Sequence, residues 1–226
     1  MSYSLDLNMQ QDSTISQRPD PEYSATPSGP SSSQKKDNWK SALSTILILI
    51  AAPLVAIFLT SFVFQSYEVD GPSMQNTLEN QDRLIVWKVS RTFARIKNSH
   101  YIPARGDVIV FVKRGIADAG DQSDKQLIKR VIALPGERVV VNNNVITVYN
   151  QEHPDGFNPD VTVGYSTEPK LTPGNVDLVV REGEVFICGD NRTNSLDSRS
   201  FGAISSNDIV GKLAARIYPF NKAKVF

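Results

Sequence analysis

From Ala42 to Phe64 the chain carries no charged residue. A helix over this stretch, rising about 1.5 Å per residue, would reach ~35 Å against a hydrocarbon core of ~30 Å, enough to cross a bilayer with some tilt. Pro53 sits near the middle and is placed to kink the helix, which membrane spans tolerate. A buried core helix would show a polar stripe or be shorter. A cleaved leader would have an apolar core of only ~7–15 residues close to the N-terminus. An uncleaved signal-anchor fits best. Ahead of it, residues 1–38 are rich in Ser, Gln, Pro and Asp without apolar periodicity, a composition that predicts a disordered tail. Lys35, Lys36 and Lys40 precede the span, whereas Glu68, Asp70 and Glu79 follow it before the first basic residue, Arg83. The positive-inside rule then puts the tail on the cytoplasmic side and everything after Gln65 on the far side. Plasma membrane, thylakoid and inner organellar membrane fit this equally. The expected segments are a tail over 1–38, a single transmembrane helix over 39–65 and an extracytoplasmic domain over 66–226.

In the last segment the pattern changes to short runs rich in Val, Ile and aromatics. They are Leu84–Val89, Val108–Val112, Leu127–Ala133, Arg138–Val141, Val145–Tyr149, Glu184–Cys188 and Ile209–Tyr218, separated by Gly, Pro, Asn and Asp. Asn142-Asn143-Asn144 between two Val-rich runs predicts a hairpin loop. No long 3.6-residue period follows the membrane segment, and Gln151–Asn175 reads as a surface excursion. The expected fold is a single all-β domain without internal repeats.

Composition narrows the chemistry. Lysine and arginine balance aspartate and glutamate, 24 against 24, so no overall field favours nucleic acid or an acidic partner. The only cysteine, Cys188, excludes an intrachain disulfide framework or a multi-cysteine metal site and, within Val185–Cys188, reads as a buried thiol. His100 and His153 lie in polar, Pro-flanked stretches with no motif around either. A Ser-His-Asp arrangement stays open on residue types alone.

Four segments stand out. Gly71-Pro72-Ser73-Met74, just beyond the span, is by itself ordinary turn punctuation. In Lys129-Arg130-Val131-Ile132-Ala133-Leu134-Pro135-Gly136-Glu137, strand alternation puts Leu127, Lys129, Val131 and Ala133 on one face, where Lys129 is the only polar member. If that face packs inward, desolvation lowers the lysine pKa and favours a neutral amine. A lysine at a sheet edge that reaches out to water is the plainer alternative. Gly189–Arg199 packs two aspartates, two arginines, two asparagines and two serines after an apolar strand, which suits either a solvated loop or a rigid polar network around a site. Arg105–Phe111 reads as a structural turn feeding a strand.

In this order, behind a membrane anchor, the four segments resemble the type I signal peptidases over roughly residues 42–218. The resemblance implies a signal-peptidase-like β-domain and a Ser–Lys protease with Ser73 as nucleophile and Lys129 as general base, needing no metal or cofactor. It implies that Ser195 orients the lysine and that Arg130, Asp190, Asp197 and Arg199 brace the site as pairs. Val69, Met74, Leu78, Leu127 and Ile128 match positions near pockets for small side chains. Implied partners are the lipid bilayer and preproteins with small residues before the cut, bound as an added strand, and no nucleic acid. Two positions depart from many relatives. Asn76 replaces a proline three residues after the nucleophile, and Gly71 replaces a serine that some relatives use in the oxyanion hole, which leaves backbone N–H groups, Ser73 first, to fill that role. Self-cleaving repressors share a Ser–Lys pair and β structure but carry a DNA-binding domain, and no helix-turn-helix pattern occurs here. A membrane-anchored domain that binds exported peptides without cutting them is the non-enzymatic alternative.

Overall fold

The computed structural model describes residues 32–97, 99–115 and 124–226. Helix α1 (Ser32–Phe58) continues into a short π-helical turn, Leu59–Val63. Its apolar part, Trp39–Val63, runs for 25 residues, and none of its most apolar stretch is buried in protein. The helix begins inside the segment expected to be disordered. Once a helix exists, each further residue adds a hydrogen bond at little entropic cost, so helicity spreads N-terminally from the apolar stretch. Residues 1–31 of the expected tail lie outside the described residues.

Residues from Ile50 onward form a unit of their own. Two antiparallel sheets hold its core. The strands are β1 (Phe64–Glu68), β2 (Arg83–Trp87), β3 (Val108–Lys113), β4 (Lys125–Ala133), β5 (Arg138–Asn142), β6 (Val145–Tyr149), β7 (Val176–Val179), β8 (Glu184–Cys188), β9 (Ile204–Ser205), β10 (Ile209–Tyr218) and β11 (Lys224–Val225). The larger sheet runs β1-β2-β10-β3-β4-β8-β9 with β11 on β10, and the smaller runs β6-β5-β7. Short helices α2 (Val89–Ile96), α3 (Pro159–Thr162) and α4 (Ser198–Phe201) fill the connections.

Local sequence explains much of this. Asn143 and Asn144 both adopt positive φ, 49° and 64°, between β5 and β6, the tight-turn conformation that asparagine tolerates best after glycine. Long β10 joins β2 to β3 and shifts register at several points, as a strand must when it bends to serve two neighbours. Ile132, Ala133, Val139, Val148 and Phe186 bury one core cluster against the small sheet, while Ile109, Phe111, Val131 and Ile187 form a second.

Three elements differ from the sequence reading. The run expected to be strand up to Val89 ends at Trp87, and the chain turns into α2. Strand β1 begins at Phe64, within the expected span, because pairing with β2 (Phe64 opposite Trp87) takes over the backbone hydrogen bonds where the helix stops. The four residues of β7 pair with β5 and went unrecognised in the sequence.

Candidate active site

The turn after β1 presents Ser73. It is closed by Gln81 N–H donating to Val69 O (2.8 Å), Val69 N–H to Asp82 O (2.9 Å) and Gly71 N–H to Asn80 Oδ1 (3.0 Å). Gly71 has φ +99°, which an L side chain would strain. From the other side, Asn191 N–H donates to Ser73 O (3.0 Å) and Asn191 Nδ2 to Pro72 O (3.3 Å), so the segment after β8 clamps the serine turn. Ser73 remains partly exposed.

Lys129 comes from the middle of β4, opposite Ile109 of β3. Its side chain is buried, with Nζ 2.8 Å from Ser73 Oγ and donating to Ile128 O at 2.9 Å. Burial lowers its pKa from the ordinary 10.5 to about 8, and the negative charge of Asp197 only partly opposes this. A partly exposed hydroxyl thus meets an amine whose neutral form is accessible near neutral pH. That amine can accept the hydroxyl proton and return it. The histidines bond elsewhere, His100 Nδ1 with Ser206 Oγ (3.1 Å) and His153 Nδ1 with Asn150 Oδ1 (3.3 Å).

The expected charged pairs are formed. Arg130 holds Asp190 bidentately, Nε to Oδ1 at 2.8 Å and Nη2 to Oδ2 at 2.5 Å, and also donates to Gly106 O (2.7 Å). Thr77 Oγ1 donates to Asp190 Oδ2 (2.5 Å), tying this pair to the serine turn. Arg199 grips Asp197 through two bonds of 2.8 Å, and Asp197 Oδ2 accepts Gly189 N–H (3.0 Å). Burial would raise the Asp197 pKa, but these Arg199 and Gly189 bonds hold it below the usual carboxylate value.

Ser195 stands differently. Its hydroxyl is buried, makes no hydrogen bond to Lys129, and faces Asp197, whose pKa it helps to lower. It is packed over Gly189, where an added Cβ would lie 2.2 Å from Ser195 Oγ and 2.5 Å from Ser73 O. Glycine at 189 is what lets the serine turn, Ser195 and the end of β8 approach so closely.

A cavity of about 120 Å³ beside Ser73 and Lys129 is lined by Val69, Leu127 and Ile128, together with Tyr67, Leu84 and Val110. Met74 and Leu78 do not line it. Their position in a turn that folds under itself sends both side chains into the core with Val108 and Leu213.

The sequence reading missed the Asp160–Arg192 pair. Asp160, at the start of α3 in the expected surface excursion, is bidentate to Arg192, accepts the Tyr165 hydroxyl (2.5 Å) and accepts Lys170 N–H (3.1 Å). Arg192 further donates to Thr172 Oγ1 (2.7 Å) and Gly189 O (3.0 Å). Four arginines and aspartates in Gly189–Arg199 were legible, but Arg192 had no expected carboxylate partner within its own segment, and that was the available signal.

The family profile for signal peptidase, peptidase S26, matches residues 42–218. The chain is 36% identical to a probable signal peptidase I-1 of Synechocystis sp., over 81% of this chain and 86% of that protein. It is 35% identical to a signal peptidase I of Bacillus caldolyticus, over 76% and 88%. A crystal structure of a signal peptidase I from Enterococcus faecalis aligns at 26% identity with 51% of this chain and 99% of its own, at a TM-score of 0.34, so the assignment rests on the sequence matches. The chain belongs to the type I signal peptidases, serine endopeptidases of the signal peptidase S26 family.

Proposed function

We propose that this chain cleaves preproteins through a Ser–Lys pair, with Ser73 as nucleophile and neutral Lys129 as general base. The observation that carries the reading is the 2.8 Å approach of a buried, pKa-lowered amine to a partly exposed serine hydroxyl. Lys129 takes the hydroxyl proton as Ser73 Oγ attacks the scissile carbonyl, then gives it to the leaving amine. The acyl-enzyme ester on Ser73 is hydrolysed by water activated by the same amine. Ser73 N–H, which donates to no group among the described residues, is the first oxyanion donor, whereas Gly71 N–H is occupied by Asn80.

The cavity lined by Val69, Leu127 and Ile128, with a volume of about 120 Å³, suits a small side chain. Among the described residues β4 meets β8 only from Arg130 onward, so before Lys129 this edge bears no strand and suits an extended substrate. In this reading Trp39–Val63 is the single membrane anchor, residues 1–38 lie on the cytoplasmic side, and residues 66–226 form the peptidase domain at the outer face. The bracing pairs Arg130–Asp190 and Asp197–Arg199 hold the two catalytic segments in place.

The test is cleavage of a labelled preprotein by full-length protein in detergent, with N-terminal sequencing of the product. Product beginning just after a small residue, absent with Ser73→Ala, is the expected result; undiminished cutting by Ser73→Ala would remove the assignment. The pH profile adds a second check. Because the base works unprotonated, kcat/KM should rise tenfold per pH unit below about 8 and level off above it. A profile flat from pH 6 to 9 would exclude Lys129 as the titrating base.

A further inference from the structure

We propose that α2 is a second membrane-contacting element, seating Phe93 and Ile96 in the lipid–water interface and presenting Arg95 and Lys97 to anionic phospholipid headgroups. The inference rests on reading Trp39–Val63 as the bilayer span.

At 100° per residue, Val89, Phe93 and Ile96 share one face of α2, while Arg91 and Arg95 lie on the opposite one. Phe93 is 60% and Ile96 76% exposed, although each is large enough to favour burial. Between α2 and the end of the span lies a mainly apolar cavity of about 670 Å³ lined by Phe58, Phe62, Val63, Val89, Phe93 and Ile96, with Lys88, Arg91 and Arg95 also bordering it.

The two elements are bonded to one another. Lys88 N–H donates to Val63 O (2.8 Å), Lys88 Nζ to Thr60 O (3.1 Å) and Thr92 Oγ1 to Phe62 O (3.3 Å). These carbonyls belong to the last turn of the span, where a helix end leaves acceptors without intrahelical partners. The height of α2 is therefore fixed by hydrogen bonds to the point at which the span leaves the hydrocarbon.

The charge pattern selects the occupant. Arg91 Nε is buried without a hydrogen-bond partner, and Arg95 and Lys97 are exposed beside it. Burial, and then the neighbouring Arg95 charge, lower the Arg91 pKa, against which Tyr67 and the Asp208 carboxylate act only in part. A signal helix is apolar with basic residues at its start and offers no anion. A second copy would bring like charges face to face. An anionic bilayer surface supplies apolar depth and negative headgroups together.

The test uses full-length protein with one added cysteine at Phe93, Ile96, Leu47 or Glu152, labelled with an environment-sensitive fluorophore; buried Cys188 does not compete. The protein is placed in phosphatidylcholine–phosphatidylglycerol vesicles containing headgroup-proximal or acyl-chain quencher lipids. Quenching at 93, 96 and 47 but not at 152, weakened at 93 and 96 alone in pure phosphatidylcholine, is the expected result. Quenching at 47 with none at 93 and 96 would overturn the proposal and leave the span standing, whereas no quenching at 47 would remove the span and the proposal with it. Equal quenching at 93 and 96 in pure phosphatidylcholine would refute the headgroup contact. Shielding of 93 that appears only with added preprotein, or self-quenching between copies, would replace lipid with those occupants. The doubly substituted Phe93→Ser, Ile96→Ser protein should cleave a short soluble peptide normally and process a vesicle-embedded preprotein about tenfold more slowly, because the tethered domain loses its orientation. Equal slowing of both substrates would mean a merely structural helix.

Discussion

Methionine in place of Lys129 is expected to lower preprotein cleavage by about 10³-fold, the scale for removing a general base, while making the folded domain more stable by roughly 2 kcal/mol at pH 7. Both effects come from the same burial. The amine is held among apolar neighbours at the end of a cavity, and its pKa falls to about 8 from 10.5. Below about pH 8 it is charged in the folded and the unfolded chain alike, and the fold bears the full cost of desolvating that charge. Between about 8 and 10.5 the unfolded chain binds more protons than the folded one, so this cost fades as pH rises and is gone above 10.5. The stability gap between Lys129→Met and wild type should therefore close over that window. Melting curves of the two full-length proteins at pH 7 and pH 10, beside activity assays, check it. A variant that melts lower at pH 7, or that keeps cutting, contradicts the assignment of Lys129 as a strained, functional base.

Asp160→Ala is the substitution expected to harm folding most. It leaves the Arg192 guanidinium buried with its two carboxylate bonds gone, for which about 3–5 kcal/mol is the usual scale. At this domain size that corresponds to a fall in Tm of roughly 10 °C. The Tyr165 hydroxyl and the Lys170 N–H lose their acceptor as well. Asp177→Ala, which removes an ion pair of similar length to Arg138 on the open surface, should barely move the melt because solvent screens both partners. Similar melts for the two variants would mean that the buried network contributes no more than the exposed pair.

The contrast between these pairs shows where sequence stops informing. Val108–Val112, Arg138–Val141, Val145–Tyr149 and Glu184–Cys188 were legible because apolar content and turn residues mark strands locally. Ser73 and Lys129 were legible through the segments around them, and the 56 residues that separate them in sequence are closed by the serine turn and β4. Asp160 was not legible, because nothing in its own neighbourhood says that a carboxylate in a polar excursion will fold onto an arginine 32 residues later. Helix α2 was hidden for another reason. Two turns are too few to establish a period, and what holds them is bonding to the end of the span rather than intrinsic propensity. The side chains of Met74 and Leu78 point inward because the turn folds under itself, a tertiary outcome that alternation cannot anticipate.

Strand β1 starts at the residue after Val63, with no linker between span and sheet. Ser73 follows ten residues later in a turn closed by its own hydrogen bonds, so even a fully extended path would put it no more than about 35 Å from Val63. On the proposed reading of Trp39–Val63 as the bilayer span, the enzyme would work as a height gauge. The peptide bonds it could reach would then lie within a bounded distance of the membrane, and a site displayed farther out would be spared whatever its sequence. Selection of the cut would then depend on where the covalent chain leaves the lipid as well as on the shape of a pocket.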